Sequence, residues 1–261
     1  MTYKRGEDFK LKLHGFKPDG HKSSDKRAAI VFFFGGGWIG GTPKQFYQQA
    51  DFFADQGVVA FSADYRVKGR DKTTPFDAVE DAKSAIRWVR KHASELGVDP
   101  DRIIASGVSA GGHIAGCTGI IKGLEAKGED HSISSVPNAM ILFNPVLDTT
   151  ENGYGLEKVG EDRKTEVSLT HQVHSGIVPT LVFHGTADKT VPFENAERFQ
   201  SLMAEAGNKS QLVAVEGKGH GCFNSPFFRP QIKNTKYYDD SLNDSLNFLE
   251  KYELIDLEVS E

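Results

Sequence analysis

The pentapeptide Gly107-Val-Ser-Ala-Gly111 sets a serine midway between two glycines. That spacing suits a serine nucleophile on a sharp strand-to-helix turn, where a strained backbone pushes the hydroxyl outward. The flanking glycines let strand and helix approach without Cβ clashes. The context agrees: "RIIAS" precedes the turn and "GGHIAGCTGII" follows it. Ser109 is the expected nucleophile, the alternative being a serine that only caps the following helix.

A serine hydroxyl must give up its proton to attack, so it needs a base, and the base needs an acid to orient it. Enzymes with the serine on such a turn carry acid and base on loops after later strands. Nine histidines are present. His14, His21 and His92 precede the serine, and His113 lies one helical turn after it. His131, His171 and His174 fall in polar loops, and His184, ending an apolar run, suits a structural hydrogen bond. His220, in "GKGHGCFN" after "LVAVE", sits on a late loop between glycines and is the expected base. The expected acid is Asp188 in "HGTADKTVP", with Asp148 after "ILFNPVL" as its rival. Asp64, in "DYR", precedes the serine and reads as a structural anchor paired with Arg66.

Acyl transfer builds negative charge on a carbonyl oxygen, and stabilising it is usually the largest catalytic contribution. The stretch "IVFFFGGGWIGG" from Ile30 to Gly41 ends an apolar run in a loop almost without side chains. Bare N–H groups there, from Gly36 and Gly37, are expected to form an oxyanion hole with the N–H of Ala110. Trp38 and Phe223 flank the expected site and suit either stacking on a sugar or aromatic acyl group or packing in the core.

Positioning these residues takes alternating strands and helices. Apolar, β-rich runs alternate with helical patterns, which predicts a mostly parallel sheet of about eight strands with helices on both faces. "FKLKLHGF" (9–16) alternates and reads as an edge strand, whereas 28–34 is apolar throughout, as for a strand buried on both faces. Thr42, Pro43 and Gly57 bracket a helix. Residues 75–96 predict a helix with Ala78, Ala82, Ala85, Ile86 and Val89 on one face. "DPDRIIASGV" reads as a short strand, residues 138–143, 179–183 and 211–215 as further strands, and 195–206 and 237–252 as helices. The polar stretch 148–175 reads as a lid-like insertion.

The chain's 261 residues, 38% hydrophobic and 26% charged, suit one α/β domain spanning 1–261. A net charge of −5 argues against nucleic acid or an anionic membrane surface as partner. Cys117 and Cys222 imply no disulfide framework. The opening "MTYKRGEDFK" has no apolar core of a signal peptide, and no run approaches the length that spans a bilayer. No helical H-x-x-x-H spacing points to a metal hydrolase, and no metal or cofactor is expected. The compartment and oligomeric state stay open.

In this order the motifs "GGGW", "DYR", "DPDRI", "GVSAGGH", "HGTAD" and "GHG" resemble the α/β-hydrolase superfamily, specifically hormone-sensitive-lipase-like bacterial carboxylesterases and small acetylxylan and feruloyl esterases. The resemblance spans Phe34 to Phe223. It implies an α/β-hydrolase fold, Ser109 as nucleophile, His220 as base, Asp188 as acid, and backbone donors at Gly36, Gly37 and Ala110. Two departures stand out. Phe34 replaces the histidine that usually anchors the glycine loop, so packing must hold it. No large N-terminal cap covers the site, which predicts short acyl esters, acetyl above all, as on a carbohydrate. A peptidase like the prolyl oligopeptidase group shares "HGTAD" and "GHG" but usually carries a large propeller. A non-catalytic binding module of this fold typically loses a member of the triad.

Overall fold

Eight strands of the computed structural model, which describes residues 1–256, hydrogen-bond into one sheet in the order β1-β2-β4-β3-β5-β6-β7-β8. They are β1 (Thr2–Arg5), β2 (Lys10–Phe16), β3 (Arg27–Phe33), β4 (Val59–Ala63), β5 (Val98–Val108), β6 (Ala139–Phe143), β7 (Thr180–Gly185) and β8 (Ser210–Val215). β3 to β8 run parallel, and β1 and β2 are antiparallel to their neighbours. The helices are α1 (Tyr47–Asp55), α2 (Lys68–Asp71), α3 (Pro75–Lys91), α4 (Ala93–Leu96), α5 (Ala110–Ile120), α6 (Leu156–Val159), α7 (Phe193–Glu205) and α8 (Lys236–Lys251).

The unbroken apolar run of β3 follows from its place. Ala29, Val31 and Phe33 point into the core beneath α3, α5 and α7, while Ala28, Ile30 and Phe32 point into the core beneath α1 and α8. Successive side chains on a strand face opposite ways, so a strand covered on both faces is apolar at every position. The chain leaves β3 for β4 on one side and returns across it to β5 on the other. Loops leaving β3 and β5 therefore diverge toward α1 and α5, and a crevice opens between their carboxyl ends.

Four expectations are corrected. Lys10–Phe16 is not the edge strand; β1 pairs with it and takes that place. "TYKR" is too short to show an alternating pattern, and long-range contacts hold it: Tyr3 is buried and its hydroxyl donates to the Asp64 carbonyl at 2.6 Å. The 75–96 helix breaks at His92 into α3 and α4, although all five residues of its predicted face are fully buried. Asp64 does not pair with Arg66. Arg66 grips Asp81 through two bonds of 2.8 Å, and Asp64 takes Arg70 at 3.1 Å. Asp81 has no exposure, and a buried carboxylate needs a compensating charge more than a partly exposed one. The strand before the serine is also longer than expected, covering all of Val98–Val108.

Candidate active site

Ser109 links β5 to α5 with φ 57° and ψ −122°, a backbone state that non-glycine residues rarely adopt. Its N–H donates to the Phe143 carbonyl at 2.9 Å, which pins the turn against β6. The tight docking needs Gly111: a methyl there would overlap the carbonyls of Phe33 and Phe34. The turn thus lies directly beside the end of β3.

Two later loops bring side chains to this turn. His220 Nε2 lies 2.8 Å from Ser109 Oγ, and His220 Nδ1 lies 2.6 Å from Asp188 Oδ2. An ionised carboxylate can only accept, so Nδ1 carries the proton and Nε2 accepts from the serine hydroxyl. Asp188 Oδ1 accepts the N–H groups of Thr190 at 2.8 Å and Val191 at 3.0 Å. Burial works to raise the Asp188 pKa, but bonds from His184, His220 and the Val191 N–H outweigh it and hold the carboxyl well below its ordinary range. His184 makes the structural bond expected of it, to the Val191 carbonyl at 3.1 Å, and its Nε2 also lies 3.3 Å from Asp188 Oδ2.

The rival acid is engaged elsewhere. Asp148 accepts the Thr150 N–H at 2.8 Å and pairs with Arg198 at 3.2 Å. Among the described residues, His220 is the only histidine bonded to Ser109. His113 is fully buried beneath the turn and donates from Nε2 to the Val167 carbonyl at 2.7 Å.

The glycine loop folds back beside Ser109. Gly36 has φ 131°, and a side chain there would overlap the Gly40 carbonyl. Among the described residues, the N–H groups of Gly36, Gly37 and Ala110 have no acceptor in the fold. For Ala110, at the first position of α5, this is the ordinary state of a helix start. Phe34 is held by packing, as its departure from the family pattern requires. Its ring stacks on Tyr65 at 4.1 Å, and its carbonyl accepts the Tyr65 hydroxyl at 2.7 Å.

Of the two roles open to Trp38 and Phe223, stacking on substrate or packing in the core, their burial favours packing. Trp38 is 2% exposed and meets His113 edge-on, and Phe223, 3% exposed, packs on Phe143 and Phe183. A flanking aromatic beside a site is ambiguous in sequence because burial is set by neighbours far along the chain.

Sequence reasoning missed four residues around the site. Asn144, fully buried at φ 35°, sets its Nδ2 3.3 Å from both ring nitrogens of His220. Gln45 accepts the Gly35 N–H at 2.8 Å and donates to Asn224 Oδ1 at 2.7 Å. Tyr154, from the insertion, reaches the glycine loop at Gly37. A polar residue ending an apolar strand was the available signal for Asn144; the others had none. Among the described residues, no group of three or more His, Cys, Asp or Glu could hold a metal ion, and no helix is long and apolar enough to cross a membrane.

Comparison with known proteins agrees with this architecture. The BD-FAE family model matches residues 16–203, a span that includes Ser109 and Asp188 but stops before His220. A probable isoprenylcysteine alpha-carbonyl methylesterase of Arabidopsis thaliana is 28% identical over 76% of this chain and 46% of its own. An acetylxylan esterase of Xylanibacter ruminicola is 27% identical over 95% of this chain and 50% of its own. The chain thus spans about half the length of the curated relatives it matches. Among solved structures, Thermogutta terrifontis esterase 2 phosphoramylated by tabun is 47% identical with a TM-score of 0.92, covering 98% of this chain and 94% of that one. The same esterase superposes with propionate bound (TM-score 0.90, 47% identity, 98% and 94% covered) and with butyrate bound (0.92, 45%, 100% and 95%).

Proposed function

The chain belongs to the BD-FAE family, within the esterases of the α/β-hydrolase fold, and from that premise we propose that it is a serine carboxylesterase for short-chain acyl esters, acetyl esters on carbohydrate in particular. The observation that carries this reading is the unbroken hydrogen-bond chain from Asp188 through His220 to Ser109, set beside glycine N–H groups with no acceptor.

In this mechanism His220 Nε2 takes the Ser109 proton as Oγ attacks the acyl carbon. Asp188 holds the imidazole in the right tautomer and stabilises the imidazolium that forms. The carbonyl oxygen becomes an oxyanion and receives hydrogen bonds from the N–H groups of Gly36, Gly37 and Ala110. Each such donor typically lowers the barrier by about 2.7–4 kcal/mol. The imidazolium then protonates the departing alcohol, leaving an acyl group on Ser109. Water, deprotonated by His220, attacks this ester; the acid leaves, and the serine regains its proton.

Two similarities support the substrate class. The Thermogutta esterase accommodates propionate and butyrate, which favours a short acyl pocket. The Xylanibacter relative is an acetylxylan esterase, which favours acetyl groups on a sugar chain. The test is a panel of nitrophenyl esters from acetate to decanoate, acetylated xylan, methyl ferulate and a proline amide. Turnover is expected to fall beyond butyrate, with acetylated xylan cleaved and the amide untouched; activity rising steadily toward decanoate would overturn the acyl preference. Ser109→Ala should reduce hydrolysis by at least about 10⁴-fold with the fold intact. A variant that keeps most of its activity would sink the mechanism. The Thermogutta enzyme is phosphorylated by paraoxon, so mass spectrometry should find the same adduct on Ser109 here and none on Ser109→Ala.

A further inference from the structure

The insertion between β6 and β7 brings a hydroxyl to the glycine loop. Tyr154 is half-buried, its ring 5.9 Å from that of Trp38, and its N–H is tied to the Asp148 carbonyl at 2.9 Å. A Cβ placed on Gly37 would come within 2.8 Å of Tyr154 Oη and 3.8 Å of Lys158 Nζ. The phenol oxygen therefore lies against Gly37, one of the proposed oxyanion donors, with no side chain between them.

Lys158 decides which way this hydroxyl works. Its ammonium, four residues on in α6, donates to Tyr154 Oη at 2.8 Å and sits 4.0 Å from the ring centroid. Burial works to lower the Lys158 pKa, but its bonds to Tyr154 and Glu157 outweigh this, so it stays charged. A hydroxyl whose oxygen accepts from an ammonium keeps its hydrogen for another acceptor. Among the described residues the Tyr154 hydrogen has none. Polarisation by the neighbouring cation strengthens whatever bond it then gives.

We propose that Tyr154 is a fourth oxyanion donor, giving its hydroxyl hydrogen to the substrate's carbonyl oxygen beside the N–H of Gly37, and that Lys158 is the positioning residue that aims and polarises it. The proposal rests on the serine-esterase reading of the same site. It also gives the insertion a catalytic part: α6 and the turn before it supply the wall from which the donor reaches.

Tyr154→Phe removes the hydroxyl and keeps the ring on Trp38. With p-nitrophenyl acetate, its kcat should fall about 10²-fold while KM stays within about two-fold. Inhibition by benzeneboronic acid, whose adduct on Ser109 is a tetrahedral anion, should weaken in parallel. Lys158→Gln should lose about ten-fold in kcat, between wild type and Tyr154→Phe. Thermal midpoints, measured alongside, should stay close to wild type. An unchanged kcat and boronate affinity in Tyr154→Phe, with Ser109→Ala inactive, would overturn the fourth donor and leave the esterase standing. A loss of activity that only tracks a loss of folded protein, with the boronate affinity of the folded fraction intact, would overturn it as well. Absence of Ser109-dependent hydrolysis in the wild type would remove both readings.

Discussion

Asp188 spends one carboxylate oxygen on two backbone N–H groups and the other on His220, so its orientation is set before any substrate arrives. Asp148, also buried, spends its oxygens on Thr150 and Arg198. The two aspartates therefore differ in consequence rather than in burial. Asp188→Asn offers an amide N–H where an acceptor is needed. The imidazole then takes the opposite tautomer, with a proton on Nε2 facing Ser109. We expect kcat for p-nitrophenyl acetate to drop about 10⁴-fold with the fold retained. Asp148→Asn should keep kcat within a few-fold and lower the unfolding free energy by about 1–3 kcal/mol, because it breaks a buried hydrogen-bond set. A reversal of these two outcomes in steady-state kinetics would reassign the acid.

At the scale of the element, α5 carries Ser109 at its start and His113 one turn in. The helix is buried nearly all round, and His113 has no exposure, so its ring must stay neutral. Burial pushes its pKa down to about 4, and the bond to the Val167 carbonyl only partly opposes this. In the unfolded chain the same group titrates near its ordinary value of about 6.5. As pH falls below about 6.5 the unfolded state binds the proton first, so stability is full above that value and is lost on the way down to about 4. The loss is on the order of 3 kcal/mol, since each tenfold difference in proton affinity between the two states is worth about 1.36 kcal/mol. Denaturant unfolding at pH 7 and pH 4.5 should show wild type losing stability over this range. His113→Gln should flatten the slope without removing it, because burial lowers the His14 pKa too. An unaltered slope in the variant would place the acid sensitivity elsewhere.

Across the whole molecule, the site is assembled from loops that the sheet brings together from distant parts of the chain. Gln45 is the tie between them. It accepts from Gly35 in the loop after β3 and donates to Asn224 in the loop after β8, residues 179 positions apart from it in sequence at the second bond. Gln45→Leu would leave the Gly35 N–H and Asn224 Oδ1 buried without partners, each costing about 1–3 kcal/mol. Both halves of the site should loosen together, so kcat should fall along with stability, as measured by ester hydrolysis and chemical denaturation. The insertion is fastened in the same long-range way. Asn195 on α7 donates to the Asn152 carbonyl at 3.2 Å, while a 2.6 Å bond from Thr149 to the Lys164 carbonyl closes the insertion on itself. From it, Tyr154 reaches the glycine loop at Gly37.

Local physics was enough to reveal much of this protein. Period-two and period-3.6 patterns reflect burial within a few residues, so the alternation of strands and helices, and the doubly buried β3, were legible in the amino-acid sequence. The turn at Ser109 was legible for the same reason, since a strained backbone between glycines is a property of five consecutive residues. Chain order narrowed the base to His220 and the acid to two aspartates. What lay beyond local pattern was decided by tertiary contacts. Which aspartate meets His220, which way Trp38 and Phe223 face, and why β1 holds an edge with four residues all depend on strand order and register. Gln45 and Tyr154 bear no mark of their place in sequence, and Asn144 only that of a polar residue ending an apolar strand. Each acts through a partner brought near by the folded sheet, and the energy of such contacts resides in geometry between distant segments.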